Sequence, residues 1–195
     1  MFITFDTETS GLAPGSICQL SYIKHDGGSS EGVNYFYAVD YVSPSATAVN
    51  GLTVEKLAVL SEGRVFADTI ETVAADFLAA DFLVAHNFTF DLSFMLAEFS
   101  RLGRVLRYNK SFCTMKNLTS VCKLRRNSGG YKYPKLSELA DFLGLSELSI
   151  QMETLRLFGD DACNYHDARF DTVATYMSFM GGRLYSPEIE LLLAI

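Results

Sequence analysis

Two carboxylates lie two positions apart near the start of the chain. Asp6 and Glu8 follow an apolar segment, residues 2–5, that has the composition of a β-strand. Because side chains alternate between the two faces of a strand, residues i and i+2 point to the same side. Two adjacent carboxylates repel each other unless a cation or a proton lies between them. The spacing therefore predicts a cation site, with a solvated acidic turn as the alternative.

Two later segments carry further acidic and imidazole side chains. His86 and Asp91 lie in the sequence His-Asn-Phe-Thr-Phe-Asp, directly after a predicted apolar strand. His166 and Asp171 lie near the start of a helix predicted at residues 166–180. Five residues along an ideal helix end about 140° away from the starting face. His166 is therefore predicted at a mobile position at or before the helix start, with Asp171 on the helix itself.

Together these segments resemble the DEDDh family of 3′→5′ exonucleases, the relatives of the DNA polymerase III epsilon proofreading subunit and of exodeoxyribonuclease X. Three family motifs stand in the family's order, and the resemblance covers residues 2–180. The matching residues are Asp6, Glu8, Thr9, Gly11 and Leu12, then His86, Asn87, Phe90 and Asp91, and finally His166 and Asp171. The resemblance implies a ribonuclease H-like fold of the α/β class, with a mixed central sheet flanked by helices.

The resemblance also implies a catalytic site in which four carboxylates hold two divalent metal ions. The implied metal ligands are Asp6, Glu8, Asp91 and Asp171. Oxygen ligands without thiolates favour Mg²⁺ or Mn²⁺ over zinc. Two such ions, about 3.5–4 Å apart, would clamp the scissile phosphate. His166 is implied as the general base, since an imidazole can accept a proton near neutral pH.

Seven further residues are expected at the substrate. They are Thr7, Thr9, Leu12, Val49, Asn50, Asn87 and Phe90. By resemblance, Leu12 is an apolar wedge beside the 3′-terminal base, although plain core packing is the alternative for both Leu12 and Phe90. Asn50 stands where many relatives carry a histidine. His86 is expected to support the turn that carries Asp91 rather than to catalyse.

The composition is that of a globular protein with one domain. The chain has 195 residues, of which 49% are hydrophobic and 20% are charged. No apolar run approaches the roughly 20 residues of a membrane span, and no signal peptide is visible at the start. The four cysteines, Cys18, Cys113, Cys122 and Cys163, lack zinc-site spacing. They predict reduced thiols and a cytoplasmic location.

The distribution of charge is uneven although the net charge is −7. Residues 101–135 contain ten Lys and Arg residues and no Asp or Glu, with tyrosines and a phenylalanine interleaved. The ten are Arg101, Arg104, Arg107, Lys110, Lys116, Lys123, Arg125, Arg126, Lys132 and Lys135. Cations attract phosphates and aromatic rings stack on bases, so this stretch favours a single-stranded nucleic acid as partner. A solvated basic surface is the alternative.

The hydrophobic pattern predicts three antiparallel strands followed by helices and further strands. Strands are expected at residues 2–5, 17–24, 33–39, 82–85 and within 104–112, and helices at 53–60, 67–80, 88–102, 136–143 and 166–180. A loop near the substrate is expected at residues 127–133. Residues 1–182 are expected to form the catalytic domain. The tail, residues 183–195, is expected either to pack on this domain or to dock on a partner.

The resulting hypothesis is a metal-dependent 3′→5′ exonuclease that acts on single-stranded DNA and releases nucleoside 5′-monophosphates. Two alternatives stay open on the sequence alone. The first is an exoribonuclease that trims RNA 3′ ends, because the metal ligands do not distinguish the sugar. The second is an accessory module that acts mainly through a polymerase or repair partner.

Overall fold

A five-stranded mixed sheet forms the centre of the protein. The computed structural model describes residues 1–160 and 163–194. The strands are β1 (Phe2–Thr9), β2 (Ile17–Asp26), β3 (Ser29–Phe36), β4 (Phe82–Ala85) and β5 (Lys110–Cys113), in the spatial order β3-β2-β1-β4-β5. The first three form an antiparallel meander, while β4 and β5 run parallel to β1. The predicted α/β fold class with a mixed sheet is therefore confirmed.

Helices flank the sheet and are interleaved along the chain with its last two strands, β4 and β5. They are α1 (Pro44–Asn50), α2 (Val54–Leu60), α3 (Ile70–Ala79), α4 (Phe88–Arg101), α5 (Thr114–Asn117), α6 (Thr119–Cys122), α7 (Leu136–Phe142), α8 (Glu147–Phe158), α9 (Ala168–Gly182) and α10 (Pro187–Leu193). Side-chain caps fix several starts: Thr53 accepts from the backbone N–H of Lys56, and Asp167 accepts from that of Arg169.

Among the described residues, apolar side chains form two large cores and a smaller cluster of Cys18, Leu52 and Leu57. The two large cores lie on opposite sides of the sheet, because alternate residues of β1 point to opposite sides. Phe5 belongs to the first core, with Phe77 of α3 and Phe94 of α4. Phe2 belongs to the second, with Phe179 of α9. The α9 helix contacts both β1 and β2. Side chains therefore pack on both faces of β1, the central strand, which carries Asp6 and Glu8.

Several predicted boundaries were wrong. The strand β1 continues to Thr9, and β3 covers Ser29–Phe36 rather than residues 33–39. Five of the helices given above were not predicted: α1, α5, α6, α8 and α10. The α1 helix buries none of its residues, so it has no apolar stripe to reveal it. The α8 helix buries only Ile150 and Thr154, while its outward leucines and methionine obscure the pattern.

The C-terminal segment packs against the second core. Ile189 of α10 is fully buried. Gly182 allows this approach, because a Cβ at that position would lie 2.9 Å from Cδ1 of Ile189. The predicted tail extends to residue 195, which lies outside the described residues. In the described part of the chain, no helix is long and apolar enough to cross a membrane. All four cysteines are buried free thiols.

Candidate active site

The final part of β1 carries Asp6 and Glu8. The parallel partner β4 pairs with β1 only from Phe2 to Thr4, so it ends before the two carboxylates begin. On the other side, β2 stays paired through Asp6 and Glu8, and the register shifts after Glu8. One edge of β1 is therefore open at this point, and the strand presents its carboxylates into a cavity beside the end of β4.

Three carboxylates converge at this edge. Oxygen atoms of Asp6, Glu8 and Asp171 all lie within 4.8 Å of one another. The Oδ1 atom of Asp171 is buried and has no hydrogen-bond partner among the described residues. A buried carboxylate oxygen without a donor is costly unless a cation is nearby. The all-oxygen donor set and this unpartnered atom both fit a hard divalent cation.

Asp91 is held beside the three carboxylates by Thr7. It lies in the first turn of α4 and is buried. Its Oδ1 accepts two hydrogen bonds from Thr7, one from the backbone N–H at 3.1 Å and one from the hydroxyl at 2.8 Å. Asn87, directly before α4, has the left-handed φ of 67° that turns the chain into the helix. These contacts fix Asp91 at the same cavity, although it lies outside the group of three.

The four carboxyl groups hold their protons more tightly than exposed ones. Burial and then the charges of Asp91 and Asp171 raise the pKa of Asp6 well above its ordinary value. Burial also raises the pKa of Glu8, against a hydrogen bond from Asn50 that lowers it. Burial raises the pKa of Asp91 and of Asp171 to about 7 in each case. Without a cation the cluster is therefore partly protonated near neutral pH.

His166 lies two residues before α9 rather than on it. Its φ is 72°, and its side chain is exposed at the cavity. Its backbone N–H donates to Oδ2 of Asp171 at 3.2 Å. Gln19 of β2 stabilises the start of α9, because its Oε1 accepts from the N–H of Ala168 and its Nε2 donates to Asp167. The imidazole is thus displayed at a fixed helix start.

One open cavity, with a volume of about 610 Å³, contains all of these groups. Its lining includes every predicted site residue: Asp6, Thr7, Glu8, Thr9, Leu12, Val49, Asn50, Asn87, Phe90, Asp91, His166 and Asp171. The structure therefore brings the residues of all three sequence motifs together on one surface.

The family model of the RNase_T exonucleases matches residues 3–149, which include the first two motifs. The chain belongs to this exonuclease family. The match confirms the resemblance to the DEDDh 3′→5′ exonucleases that the sequence predicts. No curated protein matches the sequence of this exonuclease.

A solved structure has the same fold as this exonuclease. It is the zinc-bound form of the complex of E. coli ExoI with single-stranded DNA, at a TM-score of 0.65 and 20% sequence identity. The alignment covers 98% of this exonuclease but 42% of the ExoI chain, so the exonuclease spans less than half of that relative. At this identity the likeness shows the fold.

The predicted substrate residues of the exonuclease differ in their surroundings. Leu12 is 86% exposed at the cavity rim, so it does not pack in the core. Val49 is also exposed there. Phe90 is half-buried and packs against Phe94, with 5.1 Å between ring centroids. Asn50 is engaged internally, because its Oδ1 accepts from the N–H of Leu52 and its Nδ2 donates to the carbonyl of Thr9 at 3.4 Å.

The ring nitrogens of His86 bond to Thr114 and Pro134, whereas the sequence predicted that His86 supports the turn that carries Asp91. Its Nδ1 lies 2.9 Å from the Thr114 hydroxyl, and its Nε2 lies 3.1 Å from the Pro134 carbonyl. A carbonyl only accepts, so Nε2 carries the proton and Nδ1 accepts from Thr114. Burial lowers the pKa of His86 to about 4, which keeps the ring neutral. His86 therefore ties the end of β4 to the segment around Pro134.

Several residues that line the cavity of the exonuclease were not among the predicted site residues. They are Ser45, Ala46, Met115, Tyr133, Pro134, Lys135 and Leu136, although Lys135 belongs to the predicted basic stretch and Tyr133 to the loop expected near the substrate. The first two lie on the unpredicted α1, whose signal was Ser43 as N-cap followed by Pro44 at the first helical position. The others come from segments that reach the site only through tertiary packing.

Most of the basic stretch of the exonuclease does not line the cavity. Arg101 pairs with Glu98, and Arg104 pairs with Glu71. Among the ten basic residues, Lys135 is the one that lines the cavity in the described structure. The predicted loop at residues 127–133 ends at Tyr133, which also lines the cavity.

Proposed function

We propose that this exonuclease is a metal-dependent 3′→5′ enzyme that removes nucleoside 5′-monophosphates from the 3′ end of single-stranded DNA. The observation that carries the proposal is the convergence of Asp6, Glu8 and Asp171 within 4.8 Å, in a cavity that also contains Asp91 and His166. Family membership supports hydrolysis of a phosphodiester bond. The fold shared with the ExoI–ssDNA complex supports a single DNA strand as substrate.

Asp6, Glu8, Asp91 and Asp171 would hold two Mg²⁺ or Mn²⁺ ions. The donor set is all oxygen, and the unpartnered Oδ1 of Asp171 supports a ligand role. Bound ions of this kind lower the pKa of a water nucleophile and stabilise a leaving oxygen. The hydrogen bonds from Thr7 hold the Asp91 carboxylate in place, which pre-organises it as a ligand.

His166 would take the proton from the attacking water. The water oxygen forms a bond to the scissile phosphorus, the bond from phosphorus to the 3′ oxygen breaks, and that oxygen takes a proton from solvent water. The products are a nucleoside 5′-monophosphate and a strand that ends in a 3′ hydroxyl. His166 suits this role because its side chain is exposed at the cavity, while its own backbone N–H is bonded to Asp171.

The cavity rim would receive the 3′-terminal nucleotide. Exposed Leu12 and Val49 offer apolar surface to the terminal base and sugar. Thr9, Asn50, Asn87 and Phe90 complete the wall around them. We place the catalytic domain at residues 1–182, and the burial of Ile189 supports packing of the following segment on that domain.

The experiment that tests the proposal is a comparison of 5′-labelled substrates. Single-stranded DNA, blunt duplex, mismatched duplex and RNA of one sequence are each incubated with Mg²⁺, Mn²⁺, Zn²⁺ or chelator. We expect a ladder that shortens from the 3′ end, fastest on single-stranded DNA, with no shortening in chelator. Faster shortening of RNA would support the exoribonuclease alternative. No shortening of any substrate would overturn the enzyme proposal.

A further inference from the structure

Residues 123–133 form a folded basic hairpin whose last residue, Tyr133, lines the cavity. Arg125 and Tyr131 form an antiparallel bridge. The N–H of Arg126 donates to the carbonyl of Gly130 at 3.0 Å, and that of Lys132 donates to the carbonyl of Leu124 at 2.8 Å. Gly130 has a φ of 74°, which the tight turn requires. These bonds give the basic hairpin a defined shape.

The base of the basic hairpin is fastened to the active site. His86 donates to the carbonyl of Pro134, the residue that directly follows the hairpin. Lys132 forms an ion pair with Glu138, and the other oxygen of Glu138 accepts from the N–H of Lys135 at 2.8 Å. The position of the hairpin relative to the catalytic cavity is therefore fixed by side chains rather than left to the loop.

Tyr133 presents an aromatic ring at the cavity. Its side chain lines the cavity and is 51% exposed. The Arg126 guanidinium lies 5.9 Å from the centroid of the ring. A half-exposed ring held by a cation beside a nuclease cavity is a surface on which a nucleobase can stack.

The charges of the basic hairpin are available to an anion. Lys123, Arg125 and Arg126 are exposed, and none of them pairs with a carboxylate in the part of the chain that the structure describes. Residues 102–135 contain no Asp or Glu. Phosphates attract such unpaired cations, and each contact adds to the salt dependence of binding.

We infer that the basic hairpin binds the single strand on the 5′ side of the scissile phosphate, with Tyr133 stacked on a base and Arg125 and Arg126 at the phosphates. The inference rests on the proposed function. If the carboxylates bind at the 3′-terminal nucleotide, the nucleotides on its 5′ side must extend out of the cavity. Stacking on Tyr133 needs an unpaired base, which selects a single strand over a duplex.

The test compares how affinity depends on strand length. Binding of 5′-fluorescent dT3 and dT12 is measured by anisotropy in chelator, for the wild type, Tyr133→Ala, Tyr133→Phe and the double variant Arg125→Ala/Arg126→Ala. We expect the wild type to bind dT12 more tightly than dT3. We call the Kd for dT3 divided by the Kd for dT12 the length ratio. The length ratio should fall about tenfold in Tyr133→Ala and stay unchanged in Tyr133→Phe. The double variant should weaken dT12 and reduce its salt slope by about 1.4.

Two controls separate stacking from charge and folding. The affinity for an abasic 12-mer should fall in the double arginine variant but stay unchanged in Tyr133→Ala. Arg104→Ala removes a cation of the same stretch that pairs with Glu71, so it should leave the length ratio unchanged. A ratio within twofold of the wild type in both Tyr133→Ala and the double variant would overturn the inference. Failure of the wild type to hydrolyse any substrate would instead refute the proposed function, because binding is measured without cleavage.

Discussion

The backbone N–H of His166 donates to Oδ2 of Asp171 at 3.2 Å, while Oδ1 of the same carboxylate is buried without a partner among the described residues. The backbone of His166, the proposed base, is therefore hydrogen-bonded to the carboxylate of Asp171, a proposed metal ligand. Variants at either position must keep this hydrogen bond at the start of α9.

Replacement of Asp171 by asparagine tests its role as a metal ligand. Asp171→Asn should reduce kcat roughly 10³-fold or more, because it removes an anionic ligand that a bound cation needs. The metal-free protein should become more stable at pH 8, since the substitution removes a buried carboxylate from a repelling cluster. Steady-state cleavage and urea unfolding measure the two effects. Asp141→Asn, an exposed carboxylate on α7, is the matched control; equal activity of both variants would exclude the ligand role.

The raised pKa values predict how Mg²⁺ binding depends on pH. Asp91 and Asp171, with pKa values of about 7, stay protonated in the folded state at pH values where the unfolded chain is ionised. Their contribution to stability is therefore present at low pH and lost as pH rises from about 4 to about 7, by at most roughly 4 kcal/mol per group. A bound cation removes this loss. The stabilisation by Mg²⁺ over chelator should thus grow from near zero at pH 4 to a plateau above pH 7.

His86 changes stability with pH in the direction opposite to that of Asp91 and Asp171. Because this change is the same with Mg²⁺ and with chelator, it cancels when the two series are compared. Its pKa is lowered to about 4, so its contribution to stability is present above about pH 6.5 and lost as pH falls toward 4. Melting curves with Mg²⁺ and with chelator at matched pH isolate the carboxylates. A pH-independent difference between the two series would contradict the carboxylate account.

His166→Asn tests the proposed base without disturbing the backbone. His166 has a left-handed φ of 72°, which asparagine tolerates better than most residues. Because the side chain is exposed, the free energy of unfolding should change by less than about 0.5 kcal/mol. Loss of the base should lower kcat by about 10²- to 10⁴-fold. Wild-type kcat in a variant with unchanged melting temperature would remove His166 from the mechanism.

His86→Ala should act through the basic hairpin rather than through the carboxylates. It leaves the buried Thr114 hydroxyl without its imidazole partner and frees Pro134, at a cost of about 1–3 kcal/mol in stability. We expect KM for single-stranded DNA to rise more than kcat falls, since the hairpin binds the strand but does not contact the reacting atoms. A fall in kcat alone would indicate a direct catalytic role. Thr119→Ala, which removes a hydroxyl that donates to the carbonyl of Met115, is the control for loss of a nearby hydrogen bond.

The sequence predicted the parts of the fold that carry strong local patterns. The β4 strand and the α4 helix were expected nearly at their observed bounds, because Phe82–Ala85 is wholly apolar and α4 buries a regular stripe. The β3 strand was misplaced because none of its residues is fully buried, so the alternation is weak. The glycine at position 32 of that strand is explained by tertiary packing, because a Cβ there would lie 2.6 Å from the Leu157 carbonyl of α8.

The convergence of the motif residues was predictable from the sequence. Asp6, Glu8, Asp91, Asp171 and His166 were all proposed as site residues from the sequence, and they line one cavity. The residues that support them were not, because their roles arise from packing between distant segments. Gln19 is an ordinary strand residue until its side chain reaches the start of α9, 149 positions along the chain. Tyr133 lies in the loop that was expected near the substrate, but its place in the cavity wall depends on packing, because His86 bonds to the carbonyl of the proline that follows it.

The most direct test of the central claim is the cleavage of a 5′-labelled single-stranded DNA 20-mer by the wild type and by Asp6→Asn, with Mg²⁺ or chelator. The account predicts that only the wild type with Mg²⁺ gives a ladder that shortens one nucleotide at a time, with nucleoside 5′-monophosphates as the released product by mass spectrometry. Equal shortening by Asp6→Asn, shortening in chelator, or release of internal fragments would contradict it.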